Sequence, residues 1–133
     1  LAALQPEIDR LFAARALNDV VATLRADGGS FATEALERMS RNAPLSLACT
    51  LEVLHRLKDG PRDMRAALDL EYRFASRSME HGDLLEGIRA AIIDKDKSPR
   101  WTHDLDAVPE ADVARMLAPV TGAPLSFERR SRT

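Results

Sequence analysis

The chain has 133 residues, 45% hydrophobic and 30% charged, with a formal net charge of −2 and a pI near 5.9. That length fits one domain, or a piece of a larger one, able to bury roughly two thirds of its unfolded surface without staples. The weak net charge gives no electrostatic reason for a nucleic-acid partner, and no apolar run approaches the ~20 residues that a membrane span needs.

The pattern is helical nearly throughout, with no alternating β-branched run and no internal repeat. An all-α fold of six or seven antiparallel helices follows. Segment 6–13 predicts a short helix with Pro6 in its first turn. Segment 17–26 sets Leu17, Val20, Val21 and Leu24 on one stripe, and Gly28-Gly29 stops it. Ser30 is placed to cap a helix over about 31–41, with Phe31, Ala35, Leu36 and Met39 inward. Segment 45–58 carries Leu47, Leu51, Leu54 and Leu57 on one side.

Segment 62–80 is apolar over a wide arc (Met64, Ala67, Leu68, Tyr72, Ala75, Met79), which reads as the central helix. After Gly82, Asp83 and Glu86 have capping-box spacing for a helix over 83–94. Its buried stripe would be Leu84, Leu85, Ile88, Ala91 and Ile92. Pro109 opens a last helix to about 117, with Val113, Met116 and Leu117 inward. Residues 1–118 are expected to form the helical domain, and 119–133, rich in Pro, Gly, Ser and Arg, a flexible tail.

Chemistry-bearing residues are sparse. His55, His81 and His103 have no metal-ligand spacing, so no metal site is expected. His81, beside Gly82, fits a helix end. Cys49 is the only cysteine, which rules out an intrachain disulfide and suggests a reducing compartment, the cytoplasm. Near the start of an apolar helix it reads as a small core residue. Acid pairs such as Glu34/Glu37 and Asp69/Glu71 fit solvated helix faces.

The run Asp94-Lys95-Asp96-Lys97-Ser98-Pro99-Arg100-Trp101 concentrates two of the chain's three lysines, an arginine and the only tryptophan after a helix. Cations there suit the helix C-terminal dipole. The same cluster could hold a phosphate, with Trp101 anchoring the turn.

Three stretches carry a family resemblance. Ala43-Pro44-Leu45-Ser46-Leu47-Ala48-Cys49-Thr50-Leu51 is similar to S-P-x-S-L-K-x-T-L, and Leu70-Glu71-Tyr72-Arg73-Phe74 to M-E-Y-R-L. Residues 81–101 are similar to G-H-D-F-x-E-G-V-R-A-x-L-I-D-K-D-x-x-P-x-W. Together they resemble the C-terminal region of 3-hydroxyisobutyryl-CoA hydrolases, a branch of the enoyl-CoA hydratase/isomerase (crotonase) superfamily, over about 8–127. Departures are Ala48 for the family's lysine, His81-Gly82 for Gly-His, and Leu84 for Phe.

The resemblance implies an acyl-CoA thioester hydrolase of valine catabolism whose oxyanion hole and catalytic acids lie in an upstream core. No catalytic residue is therefore assigned within this chain, which is expected to be inert alone. The chain opens on Leu1 and is expected to be a piece of a longer protein. Acyl-CoA is the substrate and no cofactor is implied. Lys95, Lys97 and Arg100 are the candidate CoA-phosphate contacts. The core would pack on the helices, and the exposed face would favour self-association. The alternatives are an enoyl-CoA hydratase/isomerase domain and a non-enzymatic helical interaction module.

Overall fold

A computed structural model describes residues 2–122 and 125–127; residues 123–124 and 128–133 of the expected tail lie outside the described residues. All regular elements among the described residues are helical. After a 3-10 turn at Ala2–Leu4 come α1 (Gln5–Leu11), α2 (Leu17–Asp27), α3 (Ser30–Ser40), α4 (Pro44–Asp59), α5 (Met64–Arg77) and α6 (Leu84–Ile88). A π turn (Arg89–Ile93) extends α6, and α7 (Glu110–Met116) is the last.

Local chemistry explains most boundaries. Pro6 and Pro44 sit in first turns, where a missing N–H costs nothing. Gly28 ends α2 at φ 65°, a conformation in which a Cβ is penalised, and its N–H caps Leu24 O. Asp63 starts α5 by accepting the Ala66 N–H at 2.8 Å. Ser30 does not cap α3: it is the first helical residue, and no side-chain cap bond forms. Gly29 takes the cap position, its own N–H held by Asp27 at 3.2 Å.

The central helix is α4, which touches α2, α3, α5 and α7. The expected role of segment 62–80 is thus overturned. Its apolar arc is largely at the surface: Met64, Leu68 and Met79 are exposed and only Leu70 of α5 is buried. In α4 the buried positions are Pro44, Leu45, Ala48 and Cys49, while Leu54, expected inward, is 60% exposed. The reason is size. Small Ala48 and Cys49 let α2 and α7 approach closely, so Leu47 and Leu51 pack only at the margins of the apolar clusters and Leu54 faces outward.

Two apolar clusters meet across α2. Leu17 and Val21 join Leu45, Ala48, Cys49, Val108, Met116 and Leu117, whereas Val20 and Leu24 join Leu11 and Ala32. One helix therefore supplies a ridge to each cluster. Burial pushes the Cys49 thiol up to about 12, so it stays protonated and behaves as an apolar filler.

The long segment between the π turn and α7 is fastened by Asn18. Its side-chain amide donates to Val108 O at 3.3 Å and accepts from Val108 N at 3.1 Å. Asn18→Ala should leave both buried backbone groups unpartnered and destabilise the fold by about 2 kcal/mol. Urea unfolding measures this, and a loss below a few tenths of a kcal/mol would show that the clasp carries no weight.

Candidate functional site

The expected helix over 83–94 divides in two. The α-helical register ends at Ile88, and in the π turn Asp94 N–H reaches back five residues to Arg89 O at 2.8 Å. The shift changes which side chains are covered. Ala90 is buried, whereas Leu84, Leu85 and Ile92, all expected inward, are exposed together with Ile93; Ile92 reaches 64%.

The expected capping box does not form either. Asp83 has φ −93° and ψ 17°, not the extended geometry of an N-cap. Its Oδ1 instead accepts from Thr102 N at 3.0 Å and Thr102 Oγ1 at 2.7 Å, tying the start of α6 to the chain beyond Trp101. Glu86 accepts from Arg89 Nε at 2.9 Å and Nη2 at 2.7 Å, and from Arg100 N at 2.7 Å. Glu86 thus finds a cationic donor in place of a helix N–H, and Asp83 finds two neutral donors on Thr102.

Arg89 organises the turn, and sequence reasoning missed it. Besides Glu86, its guanidinium donates to Asp94 Oδ2 at 2.6 Å, Asp96 Oδ2 at 2.7 Å and Ser98 O at 3.2 Å. Asp96 also takes the Ser98 N–H at 2.9 Å. The signal was present in the alternation Asp94-Lys95-Asp96-Lys97: acids at even positions turn to Arg89, and lysines at odd positions turn away.

Electrostatics follow the geometry. Arg89 and the Arg100 N–H pull the Glu86 carboxyl down to about 2. Arg89 and the Ser98 N–H hold the Asp96 carboxyl below its ordinary value. Glu86, then Asp96 and Asp94, raise the Arg89 guanidinium.

The three candidate phosphate contacts, Lys95, Lys97 and Arg100, all lie on this turn and are exposed. Lys95 and Lys97 both sit at φ 55°, a left-handed conformation that costs a non-glycine residue about 1–2 kcal/mol. Backbone strain of this kind concentrates where structure over-determines a functional segment. Here the Arg89 clamp and the Lys97 N–H to Ala90 O bond at 3.1 Å supply that determination. With Asp94 and Asp96 engaged by Arg89, no ion pair joins either lysine or Arg100 to an acid among the described residues. Trp101 lies over Gly87, where an added Cβ would stand 3.6 Å from its ring, so a small residue seats the turn against α6.

The clamp has a pH signature. Because the Glu86 and Asp96 pKa values are lowered, their contribution is complete above the ordinary glutamate value of 4.5 and fades as pH falls towards about 2. Trp101, the only tryptophan, should report this: its emission is expected to shift with a midpoint below about pH 4. A midpoint at or above 4.5 would show that these carboxylates are not clamped.

Beside the turn runs an apolar groove. One stretch, about 570 Å³, lies between α4 and α5 and is lined by Val53, Leu54, Leu57, Leu70 and Phe74. The next, about 490 Å³, continues past Phe74 and Ala75 to Leu84, Ile88, Ile92 and Trp101. Of the histidines, His81 follows the end of α5, its N–H bonded to Arg77 O at 2.9 Å. His103 Nε2 lies 2.8 Å from Asp112 Oδ2, fastening the loop to α7. No cluster of three or more His, Cys, Asp or Glu among the described residues could hold a metal ion.

Comparison with known proteins gives the frame for this geometry. A family model described as enoyl-CoA hydratase/isomerase matches residues 1–117. The mitochondrial 3-hydroxyisobutyryl-CoA hydrolase of Homo sapiens is 34% identical over 122 residues, which is 91% of this chain and 31% of the human protein. An enoyl-CoA hydratase from Rhodobacter sphaeroides 2.4.1 superposes with a TM-score of 0.87 at 53% identity, over 96% of this chain and 37% of that one. A carnitinyl-CoA dehydratase from Mycobacterium thermoresistibile gives 0.81 at 33% identity, over 96% and 36%. The chain thus spans about a third of the length of these relatives. The motif residues, the all-helical fold and these matches agree, and the chain belongs to the enoyl-CoA hydratase/isomerase family.

Proposed function

We propose that residues 1–118 are the C-terminal helical domain of an acyl-CoA thioester hydrolase of the 3-hydroxyisobutyryl-CoA hydrolase type, acting in valine catabolism. The observation that carries this reading is the Arg89-clamped turn, which lies inside the motif shared with those hydrolases and directs its acids away from its lysines. In the complete enzyme, Lys95, Lys97 and Arg100 contribute charge to the CoA phosphates. The apolar groove and the exposed face of α6 pack against the core that holds the catalytic groups.

There, water adds to the thioester carbonyl, the C–S bond breaks, and the CoA thiolate leaves and takes up a proton. Backbone amides of the core stabilise the developing oxyanion. This chain alone is inert, because it holds none of those groups. Acyl-CoA is the substrate and no cofactor is required. Without the core, the apolar face drives self-association of the chain. The lone thiol of Cys49 supports a reducing, cytoplasmic setting, although the curated relatives carry a mitochondrial label. No helix among the described residues is long and apolar enough to cross a membrane.

The test is Lys95→Ala with Lys97→Ala in the full-length enzyme. The expected result is a KM for the acyl-CoA raised about tenfold with kcat little changed, since about 1.4 kcal/mol of phosphate attraction is lost from ground and transition states alike. An unchanged KM would remove both lysines from the site.

A second reading has its own support. The 53% identity to the R. sphaeroides enoyl-CoA hydratase favours enoyl-CoA hydration. Thiol release from 3-hydroxyisobutyryl-CoA supports the hydrolase; loss of the enoyl chromophore without thiol release supports the hydratase.

A further inference from the structure

The stretch of groove between α5 and α6 is mostly apolar, with Ser46, Ser78 and one acid, Asp83, among its lining residues. Asp83 is only 7% exposed. One carboxylate oxygen, Oδ1, is saturated by the Thr102 N–H and hydroxyl. The other, Oδ2, is buried and has no hydrogen-bond partner. A buried acceptor of this kind has lost its water without compensation until a donor reaches it. Phe74, Leu84, Ile88 and Ile92 line the same stretch and favour an aliphatic neighbour. Apolar walls with one acidic acceptor complement an aliphatic stem that ends in a cationic donor.

We propose that this end of the groove receives a partner segment whose apolar side chains are accompanied by one lysine or arginine, with its cationic head on Asp83 Oδ2. The inference rests on the reading that a core face covers the groove, and it names the chemistry of that face. Asp83 then serves two elements. It holds the turn through Thr102 and receives the covering surface through its second oxygen, so docking and turn geometry are coupled at one carboxylate.

Trp101 lines the same stretch and reports occupancy. The chain, at a concentration where sedimentation shows a folded monomer, is titrated with n-octylammonium, n-octanol and n-octanoate while Trp101 emission is followed. Saturable binding of octylammonium, about tenfold tighter than octanol, with octanoate weakest, is expected. Asp83→Asn, which retains an acceptor for Thr102, should remove the ammonium preference and leave octanol binding intact.

Equal affinities for octanol and octylammonium in the wild type would mean that Oδ2 is satisfied otherwise, for example by water, and would overturn the proposal. Failure of all three to bind would overturn it as well. The wild-type series decides even if Asp83→Asn does not fold. Because it involves no CoA, its failure is separate from failure of the hydrolase reading.

Discussion

Arg89→Ala is expected to dismantle the turn that carries Lys95, Lys97 and Arg100. The guanidinium bonds Glu86, Asp94, Asp96 and the Ser98 carbonyl. Without it three carboxylates face one another with no cation between them, and like charges repel. Nothing then offsets the left-handed backbone at Lys95 and Lys97. Trp101 emission at neutral pH should move towards that of the wild type in acid. In the complete enzyme, the acyl-CoA KM should rise by about tenfold or more, at least as far as removal of the two lysines raises it. Arg89→Lys should recover little, because an ammonium cannot fork to several carboxylates. Wild-type emission from Arg89→Ala would show that another contact holds the turn.

Leu117→Ala has the largest effect expected on stability. Leu117 is fully buried just beyond α7 and packs in the cluster formed with α2 and α4. Its carbonyl also accepts from Arg73 Nη1 at 3.3 Å, so the backbone there is fixed and relaxation into the cavity is limited. The loss should be about 3 kcal/mol, a large fraction of the ~5–15 kcal/mol that holds a domain of this size together. Urea unfolding should show a lower midpoint at an unchanged m value. Leu54→Ala is the control: at 60% exposure it should change stability by less than about 0.5 kcal/mol. Equal losses at the two positions would contradict the packing described for α4.

Helix α2 was legible because Leu17, Val20, Val21 and Leu24 combine helical spacing with real burial, and Gly28 is an unambiguous stop. Pro109 and the Met116/Leu117 pair made α7 legible in the same way. Helix α4 was located and part of its inward row, Leu47 and Leu51, does reach the core, but its most buried face was missed. Periodicity weighs leucine above alanine and cysteine, whereas close packing chose Ala48 and Cys49. The stripe Leu84, Leu85 and Ile92 misled for a different reason: an apolar face marks where a chain is covered, and it does not say by what.

The turn that carries the candidate contacts was legible as a segment and not as an arrangement. The motif located Lys95, Lys97 and Arg100, but Arg89 acts through partners up to nine residues away, and the split of α6 is a matter of backbone bonding that no side-chain spacing encodes. Asp83 and Glu86 have ideal capping-box spacing, yet tertiary donors captured both.

The π turn at Arg89–Ile93 has a further consequence. A helix that closes a bond over five residues holds one residue more than its regular ladder accommodates. That surplus residue acts as a phase shifter. Upstream, Gly87 and Ile88 keep the angular phase that seats Trp101; downstream no helix resumes, and Lys95 enters at φ 55°, so the number of residues in the π turn sets the angle at which the lysine turn leaves the helix axis. A one-residue deletion anywhere in 89–93 would restore the ladder while rotating the whole lysine turn about the helix axis. The segment should therefore tolerate substitutions far better than changes in length.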